Sequence, residues 1–334
     1  MSSQSAAFSD GSFTFPIAEV PERLRGGVAA IGNFDGVHRG HQMVLNEART
    51  AARRMGVPAV ALTFEPHPRT FFRPDQPVFR LTPPAERAVV LSALGLDGVV
   101  IVPFDAALAA TEADRFVDGI LRDRLAIRGA VVGYNFHFGK ARGGTPDFLR
   151  ERGEADGFAV TVVEATVDEG GEPISSTRVR AALEAGAPEV AARLLGHRWL
   201  VVGEVIHGDA RGRTLGYPTA NIRLAPDCAL RHGVYAVRVA VDGQTYDGVA
   251  SYGRRPMFDD GAPLFETFLF DFSGDLYGRK LTISVFSFLR PELRFDGVEG
   301  LIAQMDADSA DAQRILGEAE PLSDLDRMLS FRAG

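Results

Sequence analysis

The chain reads as an α/β protein in its first half and an antiparallel β protein in its second, with the change near Ala187. Two observations predict this. Up to about Gly186, short apolar runs alternate with stretches of helical periodicity, the pattern of a doubly wound parallel sheet. From Trp199 to about Val298, short strands follow one another with turn residues between them and scarcely a helical signal, which favours a small closed barrel because closure removes exposed edges. The expected domains are residues 15–187 and 188–334, the second ending in a helix.

The composition fits that division. A chain of 334 residues with 46% apolar and 24% charged content is long enough for two cores. A formal net charge of −8 offers no basic field to a polyanion, so nucleic acid is excluded as a partner and any phosphate must be held by local devices. A single cysteine, Cys228, rules out a disulfide framework and a Cys-based zinc site and suits a reducing, cytoplasmic setting. Met1 to Asp10 is Ser-rich, with neither a cationic start nor an apolar core, so it reads as neither signal peptide nor anchor. No apolar run approaches membrane-spanning length, and no membrane partner is expected.

Val28–Ile31 is a short buried strand, Gly32 and Gly36 make a turn, and His38 and His41 open a helix to about Met55, where Arg53 and Arg54 precede the stop at Gly56. Strand, turn and helix in this order hold an anion, because N–H groups at a helix start lack intrahelical partners and the dipole favours negative charge. Three apart, His38 and His41 share a helix face and both reach that anion. A lone His-x-x-His is most often an ordinary surface pair; embedded in this block it is more specific.

Pro58–Phe64 is continuously apolar, as a strand covered on both faces should be, and ends in the rigid loop Glu65-Pro66-His67-Pro68. Pro83–Gly95 reads as helix, Gly98–Phe104 as strand, Thr111 as the N-cap of a helix through Arg124, and Ala130–Gly133 as a fourth strand. Ligands of such sheets bind beyond the strand carboxyl ends, where the histidines, the Glu65–Pro68 loop and the loop after Gly133 converge. The latter, Gly133–Thr145, fails as a P-loop: its spacing to Gly139-Lys140 is one residue too long, and Ala141 replaces the magnesium-binding Ser or Thr. Ser176 or Thr177 serves as N-cap for a helix ending at Gly186.

In the second half, strands are expected at 200–205, 233–241, 246–250, 265–272 and 281–289, with Asp242-Gly243 as a hairpin turn. Helix returns at Val298–Ala307 and Asp311–Leu316. The glycine-flanked basic loop Gly208–Gly216 runs into Tyr217-Pro-Thr-Ala-Asn221. Thr219 and Asn221, two apart on an extended segment, project from one face and offer hard oxygen donors of the kind magnesium accepts. Glu266, in a strongly apolar strand, is either a solvent-facing strand position or a functional carboxylate.

The block Gly32-Asn-Phe-Asp-Gly-Val-His-Arg-Gly-His41 resembles the His-x-Gly-His signature of the nucleotidyltransferases. In this form it is similar to the bacterial bifunctional riboflavin kinase/FMN adenylyltransferases, the FAD synthetase family. Asn135-Phe-His-Phe-Gly139, Ile174-Ser-Ser-Thr177, Pro218-Thr-Ala-Asn221 and Asp275–Lys280 resemble further segments of that family, in family order. The resemblance implies ATP-dependent phosphorylation of riboflavin to FMN in the barrel. It also implies adenylylation of FMN to FAD, with release of pyrophosphate, in an N-terminal nucleotidyltransferase domain. ATP is then a substrate, Mg²⁺ a cofactor, FMN and FAD product ligands, and the partners are these small molecules.

By the same resemblance His38 and His41 stabilise charge on the ATP α-phosphate, while Gly32, Asn33, Phe34, Asp35, Gly36, Ser175, Ser176, Thr177 and Arg178 hold ATP. Pro66, His67, Asn135, Phe136 and His137 meet the flavin phosphate. In the kinase, Gly208, Arg211, Gly212, Arg213, Thr219 and Asn221 bind ATP, with Thr219 and Asn221 on the metal. Glu266 is then the base that takes the ribityl 5′-hydroxyl proton. Three positions depart from the family pattern: Pro173 where several relatives are basic, Ser251 in place of Asn, and Met257 in place of Thr. Two alternatives are an adenylyltransferase of the same superfamily acting on a pantetheine or nicotinamide nucleotide, which lacks the Pro-Thr-Ala-Asn barrel, and a non-catalytic flavin-binding module.

Overall fold

The computed structural model describes residues 13–207, 217–253 and 263–331. The expectations for Met1–Asp10, for the kinase loop residues Gly208, Arg211, Gly212 and Arg213, and for Met257 fall outside these residues. The chain forms two compact units, one of the residues up to Val78 with Thr82–Ser175, the other of Phe79–Leu81 with the chain from Ser176 on.

The first unit is a six-stranded sheet with helices in the connections. Its strands are β1 (Thr14–Pro16), β2 (Val28–Ile31), β3 (Ala59–Glu65), β4 (Gly98–Pro103), β5 (Gly129–Gly133) and β6 (Ala159–Val163). All pair in parallel, in the order β1-β4-β3-β2-β5-β6. The chain leaves β2 in one direction through β3 and β4, then returns to begin β5 on the other side of β2. The topological switch point therefore lies between β2 and β5, where open α/β sheets bind their ligands. Every residue of β2 is buried, which is why its sequence is a continuous apolar run rather than an alternation.

The helices are α1 (Arg39–Met55), α2 (Pro68–Phe72), α3 (Pro84–Ala93), α4 (Ala106–Ala109), α5 (Ala113–Phe116) and α6 (Pro146–Asp156). Val44, Leu45, Ala48 and Ala52 form the buried stripe of α1, and its last turn closes on Gly56 at φ 64°, a left-handed cap that glycine adopts without steric cost. The core gathers Ile31, Leu62, Phe64, Val100, Phe116, Leu121 and Val132, each such side chain contributing about 1.5–3 kcal/mol on burial.

One expected boundary is corrected. Thr111 does not cap a helix; its hydroxyl donates back to Ala107 O (2.8 Å) behind α4, and α5 starts after Glu112 and continues as a wider π-helical stretch over Val117–Arg124. The edge strands β1 and β6, and α6 with its Thr145 cap, were not anticipated.

The second unit opens with α7 (Ser176–Glu184) and α8 (Pro188–Leu195) and continues as β7 (Trp199–Glu204), β8 (Thr219–Arg223), β9 (Gly233–Val241), β10 (Gln244–Gly253), β11 (Leu264–Leu269) and β12 (Lys280–Arg290). It ends in α9 (Val298–Gly317) and α10 (Asp324–Ser330). The strands form one antiparallel sheet in the order β7-β12-β9-β10-β11-β8. The sheet curls until its ends meet at a bridge, where Ile206 N–H donates to Asn221 O at 2.9 Å. Asp242 (φ 52°) and Gly243 (φ 76°) both take positive φ in the β9–β10 hairpin, the conformation whose twist matches the flanking strands.

Helix α9 is continuous through both expected segments and covers one side of the sheet, where Ala312 and Leu316 pack with Ala236, Phe270 and Phe286. Helix α10 is additional. Its Ser323 cap accepts the Asp326 N–H (3.1 Å) and donates to Gly196 O (2.7 Å). The second compact unit takes in α7, where Arg231 N–H donates to Leu183 O (3.2 Å) and its guanidinium to Ala185 O (3.0 Å).

Candidate functional site

In the first unit three loops share one sheet edge, because they follow the adjacent parallel strands β3, β2 and β5. The central loop runs from Gly32 to His38. Phe34, Asp35, Val37 and His38 are buried, and the backbone is bent sharply, with φ of 47° at Phe34, 91° at Gly36 and 45° at Val37. Gly36 needs its glycine for that conformation.

His38 is the N-cap of α1, its Nδ1 accepting the His41 backbone N–H at 3.3 Å. An accepting Nδ1 places the proton of the neutral ring on Nε2. The two imidazoles stack, with centroids 3.7 Å apart and planes 17° from parallel, and Phe34 meets His41 edge-on at 5.5 Å. A Cβ at Gly40 would stand 3.2 Å from the His38 ring, so a glycine there lets the imidazole lie against the helix. His41 Nδ1 is buried, with no hydrogen-bond partner among the described residues. Burial first, and the neighbouring His38 second, hold the His41 pKa well below the ordinary histidine value, so the ring is neutral at pH 7. A helix N-terminus with a second histidine in contact is an arrangement whose dipole favours a ligand bringing negative charge.

The flanking loops bring in the other expected residues. After β3, Glu65–Pro66 is a cis peptide and His67 caps the short α2, its Nδ1 accepting the Arg69 N–H at 3.1 Å. After β5, Phe136 stacks on Phe138 (5.4 Å), and exposed His137 places Nδ1 2.9 Å from Asn135 O and 3.1 Å from Arg142 Nη2. Lys140 is paired with Glu112 (3.1 Å), consistent with this loop not being a P-loop. Gly32 continues from β2 by donating its N–H to Leu62 O (3.1 Å). Asn33 O accepts from Thr63 Oγ1 (3.1 Å) and from Arg87 Nη1 (3.4 Å), and Arg87 also grips Glu65. Asp35 is turned inward, 1% exposed, with Oδ1 accepting the Thr82 N–H. Arg87 and Thr82 carry no motif; their signal is only that they are polar residues buried on and before α3. Ser175 closes the first unit, and Ser176, Thr177 and Arg178 begin α7 in the second.

In the second unit the register of three strands builds a polar row. Asn221 on β8 faces Glu266 on β11, and Glu266 faces Ser251 on β10. Thr219 lies opposite Phe268, one step along the same face. Asn221 is buried, and among the described residues its side-chain Oδ1 has no hydrogen-bond partner. An orphaned amide oxygen beside a threonine hydroxyl and a half-buried glutamate fits a hard cation whose shell is completed by phosphate oxygens. Tyr217, at the head of this segment, packs edge-on against Phe268 (4.9 Å) and donates its hydroxyl to Asp306 of α9, which pushes its pKa up to about 12.

Comparisons with known proteins agree with both units. A family model described as FAD synthetase matches residues 20–178, and one described as riboflavin kinase matches residues 195–316. A bifunctional riboflavin kinase/FMN adenylyltransferase of Pseudomonas fluorescens is 44% identical over 292 residues, 87% of this chain and 93% of that protein. Its counterpart in Escherichia coli (strain K12) is 38% identical over 306 residues, 91% of this chain and 97% of that protein. A solved structure of a macrolide-efflux protein from Streptococcus pneumoniae superposes with a TM-score of 0.78 at 32% identity, over 90% of this chain and 99% of that one. That name refers to efflux; among the described residues here no helix is long and apolar enough to cross a membrane. With two family models end to end along it and relatives matched over nearly their whole lengths, the chain belongs to the family of bifunctional riboflavin kinase/FMN adenylyltransferases.

Proposed function

We infer that the chain phosphorylates riboflavin to FMN in its second unit and adenylylates FMN to FAD in its first, and that the two polar constellations above are the respective sites. The observation that carries the first assignment is the stacked His38–His41 pair at the start of α1, beside the switch point of a parallel sheet. Adenylyl transfer needs no base, because the attacking FMN phosphate is already an anion. The task is to stabilise charge on the α-phosphate and the departing pyrophosphate. His38 and His41 present ring N–H groups for this, and the backbone from Gly32 to Gly36 lines the same edge. Pro66, His67, Asn135, Phe136 and His137, on the two flanking loops, receive the flavin phosphate side. Ser175 to Arg178 are assigned to the triphosphate on their motif.

In the kinase a hydroxyl attacks, so a base is needed. Glu266 takes the ribityl 5′-hydroxyl proton, and Thr219 and Asn221 hold Mg²⁺ through their side-chain oxygens, with the orphaned Asn221 Oδ1 as support. When bound, Mg²⁺ neutralises charge on the transferring phosphate. The loop residues Gly208, Arg211, Gly212 and Arg213 are assigned to the ATP of this reaction by their motif.

Riboflavin incubated with Mg-ATP and followed by thin-layer or liquid chromatography tests the reading. FMN should appear first and FAD second. FMN alone would leave the first unit without its assigned activity, and no conversion would favour a flavin-binding role.

A further inference from the structure

The turn beside the paired histidines is strained and held from outside. Phe34 and Val37 are L residues in the left-handed region on either side of Gly36, and such backbone persists only where its surroundings over-determine it. One residue supplies three restraints. Thr82 donates its N–H to Asp35 Oδ1 (3.0 Å), accepts the Gly36 N–H on Oγ1 (2.8 Å) and donates that hydroxyl to Phe34 O (3.2 Å). The far end of the turn is tied separately, Gln42 Nε2 donating to Val37 O at 2.8 Å. Thr82 and Asp35 are each 1% exposed, so neither presents a side chain to a bound nucleotide; they act through the backbone between them.

We propose that Thr82 is a positioning residue for adenylyl transfer: it clasps Phe34, Asp35 and Gly36 so that the turn delivers His38 to its cap position and aims the first turn of α1 at the triphosphate. The proposal rests on the reading of this unit as the adenylylation site. It gives Asp35 a definite task there, since a carboxylate facing inward cannot repel the phosphates and serves as the second half of the clasp. Loss of the clasp relaxes the turn and shifts the anion site without removing any group that meets the nucleotide.

Thr82→Val keeps the size and the N–H but removes both hydroxyl bonds, and Thr82→Ser restores them. In the full-length chain, Thr82→Val should lower kcat for FMN to FAD by roughly 10–100-fold, with KM for FMN and the riboflavin kinase rate within about threefold of the parent and Thr82→Ser close to it. A Thr82→Val protein with parental kcat overturns the proposal, as does an equal loss in the Val and Ser variants. If Thr82→Val does not fold by circular dichroism, Asp35→Ala removes the acceptor of the Thr82 N–H instead; a lowered kcat for FAD formation with the riboflavin kinase rate retained supports the clasp, and an unchanged one overturns it. His41→Ala is assayed alongside. If that variant still makes FAD at the parental rate, the site reading itself has failed; if it does not while Thr82→Val does, only the clasp has.

Discussion

Asn221 on β8 and Glu266 on β11 are direct cross-strand partners, so their side chains leave the sheet on the same face, with Cβ atoms roughly 4.5–5.5 Å apart. This puts the proposed metal oxygen and the proposed base side by side, as transfer of phosphate to a hydroxyl requires. Glu266→Gln keeps size and hydrogen bonding but cannot take a proton. Riboflavin kinase kcat should therefore fall by roughly 10²–10⁴, with ATP affinity nearly intact. The same variant should still convert supplied FMN to FAD. Retained kinase activity would reduce Glu266 to a strand-surface residue, and equal loss of both activities would indicate a folding defect.

His41→Ala should show the reverse pattern. Removing the ring removes charge stabilisation at the α-phosphate, worth roughly 10²–10³ in rate by analogy with a lost oxyanion donor, while FMN formation stays near the parental rate. The pH behaviour is separable from that. Because burial and His38 lower the folded-state pKa of His41 below the ordinary 6.5, the unfolded chain binds more protons in the window between. Stability contributed by neutral His41 is present above that value and lost as the pH falls through the folded pKa. Melting temperature against pH should decline more steeply on the acid side for the parent than for His41→Gln; identical slopes would show that the ring titrates normally.

The parts of these sites that were legible in sequence are those set by near neighbours. Val28–Ile31 followed by Gly32, Gly36, His38 and His41 is a local program for strand, turn and capped helix, and Asp242-Gly243 is one for a hairpin. Thr219 and Asn221 are paired by strand alternation alone. What could not be read is register and long-range restraint. The Asn221–Glu266 pairing depends on which residue of β11 slides opposite β8, and a slip of one position would turn Glu266 to the other face. The Thr82 contacts join residues 46 to 48 apart, each pairing a side chain with a backbone group, and such long-range bonds leave no trace in a local sequence pattern. The short α10 was missed although Ser323 and Asp326 form a recognisable capping pair, because seven residues carry too little periodicity.

The independence of the second unit is testable by truncation. A chain beginning at Ser176 keeps α7, whose Leu183 and Ala185 carbonyls accept from Arg231, and should convert riboflavin to FMN but never make FAD. It lacks Phe79–Leu81, so Trp199, 3% exposed, loses the Leu81 carbonyl that accepts its Nε1–H at 2.8 Å. An unsatisfied buried donor costs about 1–3 kcal/mol, and the fragment should melt below the full chain accordingly. A chain beginning at Pro188 sheds α7 as well and should melt lower still. A Ser176 fragment that is unfolded by circular dichroism would show that the unit does not stand alone.

A buried polar knot of the second unit lies outside the Thr219–Asn221–Glu266 row and should govern stability rather than chemistry. Asp326 on α10 is 0% exposed; its Oδ1 accepts the Arg198 backbone N–H (2.8 Å), and its Oδ2 pairs with the Arg198 guanidinium and accepts the Leu322 N–H (3.0 Å). The Arg198 guanidinium also lies over the Phe286 ring at 4.6 Å. Asp326→Ala strands a buried cation and two backbone donors at once, and the loss should be about 3–5 kcal/mol in urea unfolding of that unit. Asp326→Asn keeps one acceptor oxygen but not the charge and should fall between the two. Because α10 contributes no residue to the Thr219–Asn221–Glu266 row, riboflavin kinase kcat measured well below the melting temperature should be unchanged in both variants. A kinase defect at a temperature where the variant is fully folded would mean that α10 supports the catalytic strands directly.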